Sequence, residues 1–184
     1  MEDEPFSPCL ARAAGAAAKL AVLAGLLPLL PALISGRPPA AVIALVSSTL
    51  VIEYGAGAVG IGLGLPPPYV IFVLICTALG ITVFLFDLFD LAGERSRRVG
   101  SFLERSRRRA AGSRLLSRYG MYGLVPLVIV LGFYVCPAVA WVLGWDRRRS
   151  VLLIMTGCAV ASVATVLVTM GVLDIAKALS GVTG

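Results

Sequence analysis

The sequence predicts an all-α integral membrane protein: three spanning helices, two re-entrant helical hairpins of opposite orientation that form an inverted repeat, and a cytoplasmic amphipathic helix. Three observations predict it. Of 184 residues, 59% are hydrophobic and 14% charged, with a mean hydropathy of +0.95. A soluble domain of this length cannot hide so much apolar surface, and uncharged apolar runs of about 18 residues or more read as membrane spans. The cations are also concentrated: fourteen of sixteen are arginines, and twelve of these lie in 95–118 or 147–149. Finally, those two clusters flank one uncharged stretch, 119–145. Positive charge marks the cytoplasmic side of a span, so both clusters belong on one side. A single crossing between them violates that preference, whereas a hairpin that enters the bilayer and returns satisfies it.

Each element follows from local chemistry. Cys9–Ile34 reads as the first span, retained rather than cleaved, because the acidic Met1-Glu-Asp-Glu start lacks the basic character of a secretory leader. Arg12 and Lys19 near its start place the N-terminus in the cytoplasm, with Lys19 snorkelling to head groups. Pro38–Leu65 is apolar but unsuited to a plain span. Its run from Gly55 to Gly64 holds five glycines, each costing about 0.5–1 kcal/mol in a helix interior. Gly60, Gly62, Gly64 and Pro66 are candidate helix breaks, and Gly60 with Gly64 equally suits a close helix contact. Tyr69–Leu91 reads as a span ending in Asp87 and Asp90, which the nearby Arg95, Arg97 and Arg98 would pair. In residues 94–118, Glu94 and Glu104 stand four positions before Arg98 and Arg108, which supports a surface helix. Tyr119–Trp145 is the second hairpin, broken near Gly132 and Pro137, and Trp141 and Trp145 suit an interfacial belt. Ser150–Leu173 is the last span. Residues 1–184 thus form a single membrane domain: first span 1–36, hairpin plus span 38–91, basic helix 94–118, hairpin plus span 119–173. The alternative is that both hairpins are full spans.

Composition excludes much chemistry. Without histidine there is no Ser–His or Cys–His pair, no HExxH zinc site and no histidine relay. Cys9, Cys76, Cys136 and Cys158 are isolated and form no metal or redox pair. No cofactor is expected, nor any nucleic-acid partner, because no folded basic domain with reading aromatics is present. The chain does not read as an enzyme. The most distinctive group is Glu53, a carboxylate at the middle of the first hairpin, where keeping a charge costs about 2.5 kcal/mol or more. A group so placed can take up and release a proton, or it can bind exposed amides at the hairpin tip. Gly55, Gly57, Tyr134, Cys136 and Pro137 complete the candidate transport or coupling set at the two tips. Arg97, Arg98, Arg107, Arg108 and Arg118 are candidate contacts to lipid head groups.

On these residues the chain resembles the small multidrug export family and, more distantly, the DedA/VTT membrane proteins. Glu53 matches the glutamate of the first family's Glu-x-Arg motif, with Gly55 in the arginine position and Val59 near the expected proline. Arg118-Tyr119-Gly120 matches its basic-Tyr-Gly signature, and Pro137 with Ala140-Trp141 resembles its proline-rich break. The resemblance, over 41–173, implies two re-entrant hairpins of opposite orientation and a transport or lipid-translocation role.

The leading expectation is therefore a small multi-pass transporter in the plasma membrane, exporting small molecules or drugs and coupled to protons. Its partners would be the lipid bilayer, a small-molecule or lipid substrate and a second copy in a homodimer. The alternatives are a DedA-like lipid scramblase and a non-transporting scaffold or oligomerisation module.

Overall fold

The computed structural model describes residues 6–95 and 120–182, and every regular element among them is helical. The expected basic helix at 94–118, with Arg97, Arg98, Arg107, Arg108 and Arg118, lies outside these residues apart from the last turn of the preceding helix. Five segments are long and apolar enough to cross a membrane: Ala11–Ile34, Pro39–Gly62, Pro67–Gly93, Gly120–Leu143 and Arg147–Ile175.

The first segment is α1 (Phe6–Leu20), a π turn (Ala21–Leu26) and α2 (Leu27–Ile34), without a gap between them. The wide turn closes with the Leu27 amide donating to Val22 O, five residues back. It directly precedes Pro28, whose ring would crowd the carbonyl of an ordinary turn and whose nitrogen donates nothing. Gly80 faces this turn: a Cβ there would lie 3.2 Å from the Ala24 backbone nitrogen, so the glycine lets the two helices touch backbone to backbone. At the other end of the segment, the Tyr69 hydroxyl donates to Pro28 O, and the Arg37 guanidinium stacks 4.6 Å from the Tyr69 ring centroid.

Next come α3 (Pro39–Ile52), a 3₁₀ turn (Glu53–Gly55) and α4 (Ala56–Gly62). Pro39 starts α3 where a missing amide hydrogen is harmless. The chain reverses at Glu53. Leu45 on α3 and Gly60 on α4 meet, with a Cβ on Gly60 falling 3.1 Å from Leu45 and 2.8 Å from Val70. The interruption thus falls at Glu53–Gly55, while Gly60 and Gly62, expected as breaks, lie inside α4. Gly60 is the contact glycine, and nothing approaches Gly62 within 4 Å. Gly64, at φ +75°, and Pro66 end the arm and turn the chain into α5 (Pro67–Arg95).

A 3₁₀ turn (Gly120–Gly123) leads into α6 (Leu124–Leu143), which is broken internally: Gly132 has φ 79° and ψ 172°. The first arm packs on α7 (Arg147–Val182), where a Cβ on Gly157 would meet Val125 O at 2.9 Å and Val128 at 3.0 Å. The second arm ends with Trp141 stacked over Gly93, at the end of α5. Both α5 and α7 run beyond the expected 69–91 and 150–173, so Asp174 and Lys177 belong to α7.

Helices α5 and α7 are antiparallel. Leu74 and Val166 both border Gly57, and Asp87 pairs with Arg147. The buried residues separate into two clusters along this central pair. One is built from Leu45, Ala56, Val70, Val73, Leu74 and Val166 under the α3–α4 arms. The other, from Phe86, Leu124, Val128, Phe133 and Ile154, lies under the α6 arms.

Candidate functional site

The two broken segments meet at their breaks. Glu53 has φ 50°, a conformation that costs a side-chain-bearing residue about 1–3 kcal/mol unless its surroundings hold it. Its carboxylate lies over Gly132, where a Cβ would overlap it. The Phe133 amide donates to that carboxylate. Phe133 opens the second arm of α6, whose first amides have no carbonyl one turn back, so an anion there satisfies an orphan donor and suits the helix dipole. The exchange is reciprocal. The Tyr134 hydroxyl donates at 2.6 Å to Leu50 O, one of the last carbonyls of α3. Each break therefore has an exposed backbone group satisfied by a side chain from the other.

Aromatic packing fixes this crossing. Tyr54 meets Phe133 edge to face at 5.6 Å between centroids, and Phe133 packs on Tyr134 at 4.7 Å. The Tyr54 hydroxyl lies 3.4 Å from Cys158 Sγ on α7. The Cys136 thiol donates to Gly132 O at 3.3 Å, one turn back in the second arm.

Of the residues expected at the tips, the structure brings Glu53 and Tyr134 together with the break at Gly132. Gly57 is filled in by Thr165, Val166 and Leu74, and Cys136 and Pro137 are buried among core side chains, so packing surrounds all three. Gly55 lies on the exposed side of the turn with only Ile52 near it. Sequence reading missed Phe133, whose backbone rather than side chain faces Glu53, and Leu50, which takes part only through its carbonyl.

A second polar cluster closes the C-terminal end of α5. Asp87 accepts from Lys19 at 2.8 Å and from Arg147 at 2.5 Å; Arg147 also reaches Asp90 at 3.2 Å and stacks against Phe86. Trp141 Nε1 donates to Asp90 at 2.9 Å. These partners come from α1 and α7; the side chains of Arg95, Arg97 and Arg98, the expected partners, lie outside the described residues. Lys19, expected to snorkel, points across to α5 because a carboxylate is within reach. Arg147 thus stands at the end of α5 from which the basic segment leaves.

Five apolar segments long enough to cross a membrane, two of them broken, with carboxylates among them paired to cations, define a polytopic helical membrane protein. A family model matches residues 54–164, the greater part of the chain, and the protein belongs to that family, described as "Putative small multi-drug export protein". The match begins one residue after Glu53. No curated protein and no solved structure matches the chain.

Proposed function

We propose that the protein is a small multi-pass transporter of the plasma membrane, in which two re-entrant hairpins enter the bilayer from opposite faces and meet at Glu53. The observation that carries this reading is the reciprocal capping at the crossing: Glu53 holds the Phe133 amide and Tyr134 holds the Leu50 carbonyl. Broken backbone at membrane depth is tolerated where protein or water covers it, and transporters built from inverted repeats bind their substrates there. Geometry supports the hairpins. At 1.5 Å per residue α3 is about 21 Å long, short of the ~30 Å needed to cross. Arg147 lies beside Asp87 and Asp90 near the C-terminal end of α5, so Arg147 and Arg95, which open the two arginine clusters, stand at the same end of that helix, in keeping with the positive-inside preference. With the basic side cytoplasmic, the N-terminus is cytoplasmic too.

In this reading Glu53 is the coupling or binding group. A substrate or proton that competes for the carboxylate releases the Phe133 amide, and the two hairpins are then free to part. Export of small molecules fits the family, and no nucleic acid or cofactor takes part. Transport in proteoliposomes, driven by a pH gradient and compared between wild type and Glu53→Gln, tests the role of the carboxylate. Equal, robust transport by both removes Glu53 from the mechanism. Labelling of single cysteines placed at 148 and 107 in intact cells tests the topology; reaction of 148 from outside while 107 stays protected overturns the hairpins.

A further inference from the structure

The α4 arm leads away from the crossing to a cavity. Gly57 on α4 borders Val166 on α7, and one turn further along each helix stand Ile61 and Met170. Both of these line a cavity of about 300 Å³, together with Leu65, Pro66, Leu173 and Asp174. The seam between α4 and α7 therefore opens into this space. Asp174 stands some ~40 Å along α7 from Arg147, at 1.5 Å per residue, so the cavity lies at the opposite end of that helix from its arginines.

The chemistry of the cavity is one-sided. Its walls are apolar except for the Asp174 carboxylate, which makes no hydrogen bond or ion pair among the described residues, and no cation lines the space. At the other end Asp87 and Asp90 are matched by Lys19 and Arg147. Backbone donors are missing from the turn as well. The amides of Leu63, Gly64 and Leu65 already donate to Val59, Ile61 and Gly60, while Pro66 and Pro67 have none to give. An anion finds no donor here. A hard metal ion needs several oxygen ligands, and one carboxylate does not supply them. A weakly hydrated cation with an apolar body suits both features: its charge meets Asp174, and its body covers Ile61, Met170 and Leu173, the last two of them exposed. Met170, unbranched and polarisable, adapts to bodies of different shape.

We propose that this cavity binds a small amphipathic organic cation, with its charge on Asp174 and its apolar body against Ile61, Met170 and Leu173. That the bound cation is also the transported substrate rests on the transport reading: the α4–α7 seam then joins one carboxylate, Glu53 at the crossing, to a second, Asp174, at the far end. Occupancy of the cavity does not depend on transport and is tested without it.

Equilibrium binding of radiolabelled benzyltrimethylammonium to the full chain, in nanodiscs of lipid without net charge, reads the site directly. Wild type is expected to bind the probe saturably, with phenylacetate, an anion carrying the same ring, failing to displace it. Asp174→Asn is expected to weaken binding roughly fivefold, as for loss of a partly solvated ion pair, and Asp174→Glu to retain it. Met170→Trp fills the cavity and is expected to weaken binding with the charge left in place. Asp146→Asn removes an exposed carboxylate from the other end of α7 and is expected to change nothing. Absence of saturable binding in wild type overturns the site, as does displacement by phenylacetate. So does an Asp174→Asn variant that binds as wild type, or an Asp146→Asn variant that loses as much. Asp174-dependent binding alongside equal transport by wild type and Glu53→Gln overturns the coupling role of Glu53 and leaves this site standing. Glu53-dependent transport without probe binding overturns this site alone.

Discussion

Gly132→Ala is the sharpest perturbation of the crossing. At φ 79° and ψ 172° the position lies in a backbone region nearly closed to side chains, so alanine costs about 1–3 kcal/mol before any contact is counted. Its methyl would also overlap the Glu53 carboxylate, which must then leave the Phe133 amide. A hydrogen bond to a charged acceptor is worth about 1.5–3 kcal/mol. The combined loss is about 3–5 kcal/mol, a fall of roughly 10 °C in thermal midpoint for a chain of this size. Thermal unfolding in detergent micelles, followed by circular dichroism, measures it. A second substitution isolates the steric part. Glu53→Gly removes the obstructing carboxylate and relieves the positive φ at 53, so Gly132→Ala is expected to cost less in that background than in wild type. Sites in contact couple, whereas distant sites add. A Gly132→Ala variant as stable as wild type refutes the reasoning, and so does strict additivity of the two substitutions.

Three other outcomes follow from the same contacts. Arg147→Ala loosens the end of α5; because the guanidinium is partly exposed, the expected cost is about 1 kcal/mol, and the difference from wild type shrinks in ~1 M salt. Thermal midpoints at low and high salt check this, with Arg147→Lys recovering only part of the loss. Tyr134→Phe leaves Leu50 O unpaired and is expected to cost about 1–3 kcal/mol, read by the same melts. Gly80→Leu forces the π turn away from α5 and is expected to cost about 1–3 kcal/mol, while Gly80→Ala, whose Cβ needs a shift of only tenths of an ångström, costs less.

Much of this architecture was legible before any coordinates. Glu53 stands out as a carboxylate far from other charge in an apolar run, and Gly132 and Pro137 announce a weakness in the second segment; in the fold the first break and Gly132 meet. The glycine series from Gly55 to Gly64 misled on position. Glycine signals freedom, but in α4 that freedom serves close approach at Gly60, while the reversal falls on a charged residue packed against the break of the second segment. The pairing of Asp87 and Asp90 was legible only in kind. Arg147 and Lys19 reach these carboxylates through helix packing that no local pattern encodes. Phe133 and Leu50 contribute backbone atoms, which every residue has, so composition carries no trace of their roles.

The widened coil between Ala21 and Leu26 amounts to one residue more than a regular helix would hold. Its removal would let the flanks rejoin without rotating either, so Lys19 would still face Asp87 and Pro28 would still face Tyr69. Single-residue deletions there should therefore be borne far better than deletions one turn to either side, and the leading helix can change its length by one without losing its alignment to the rest.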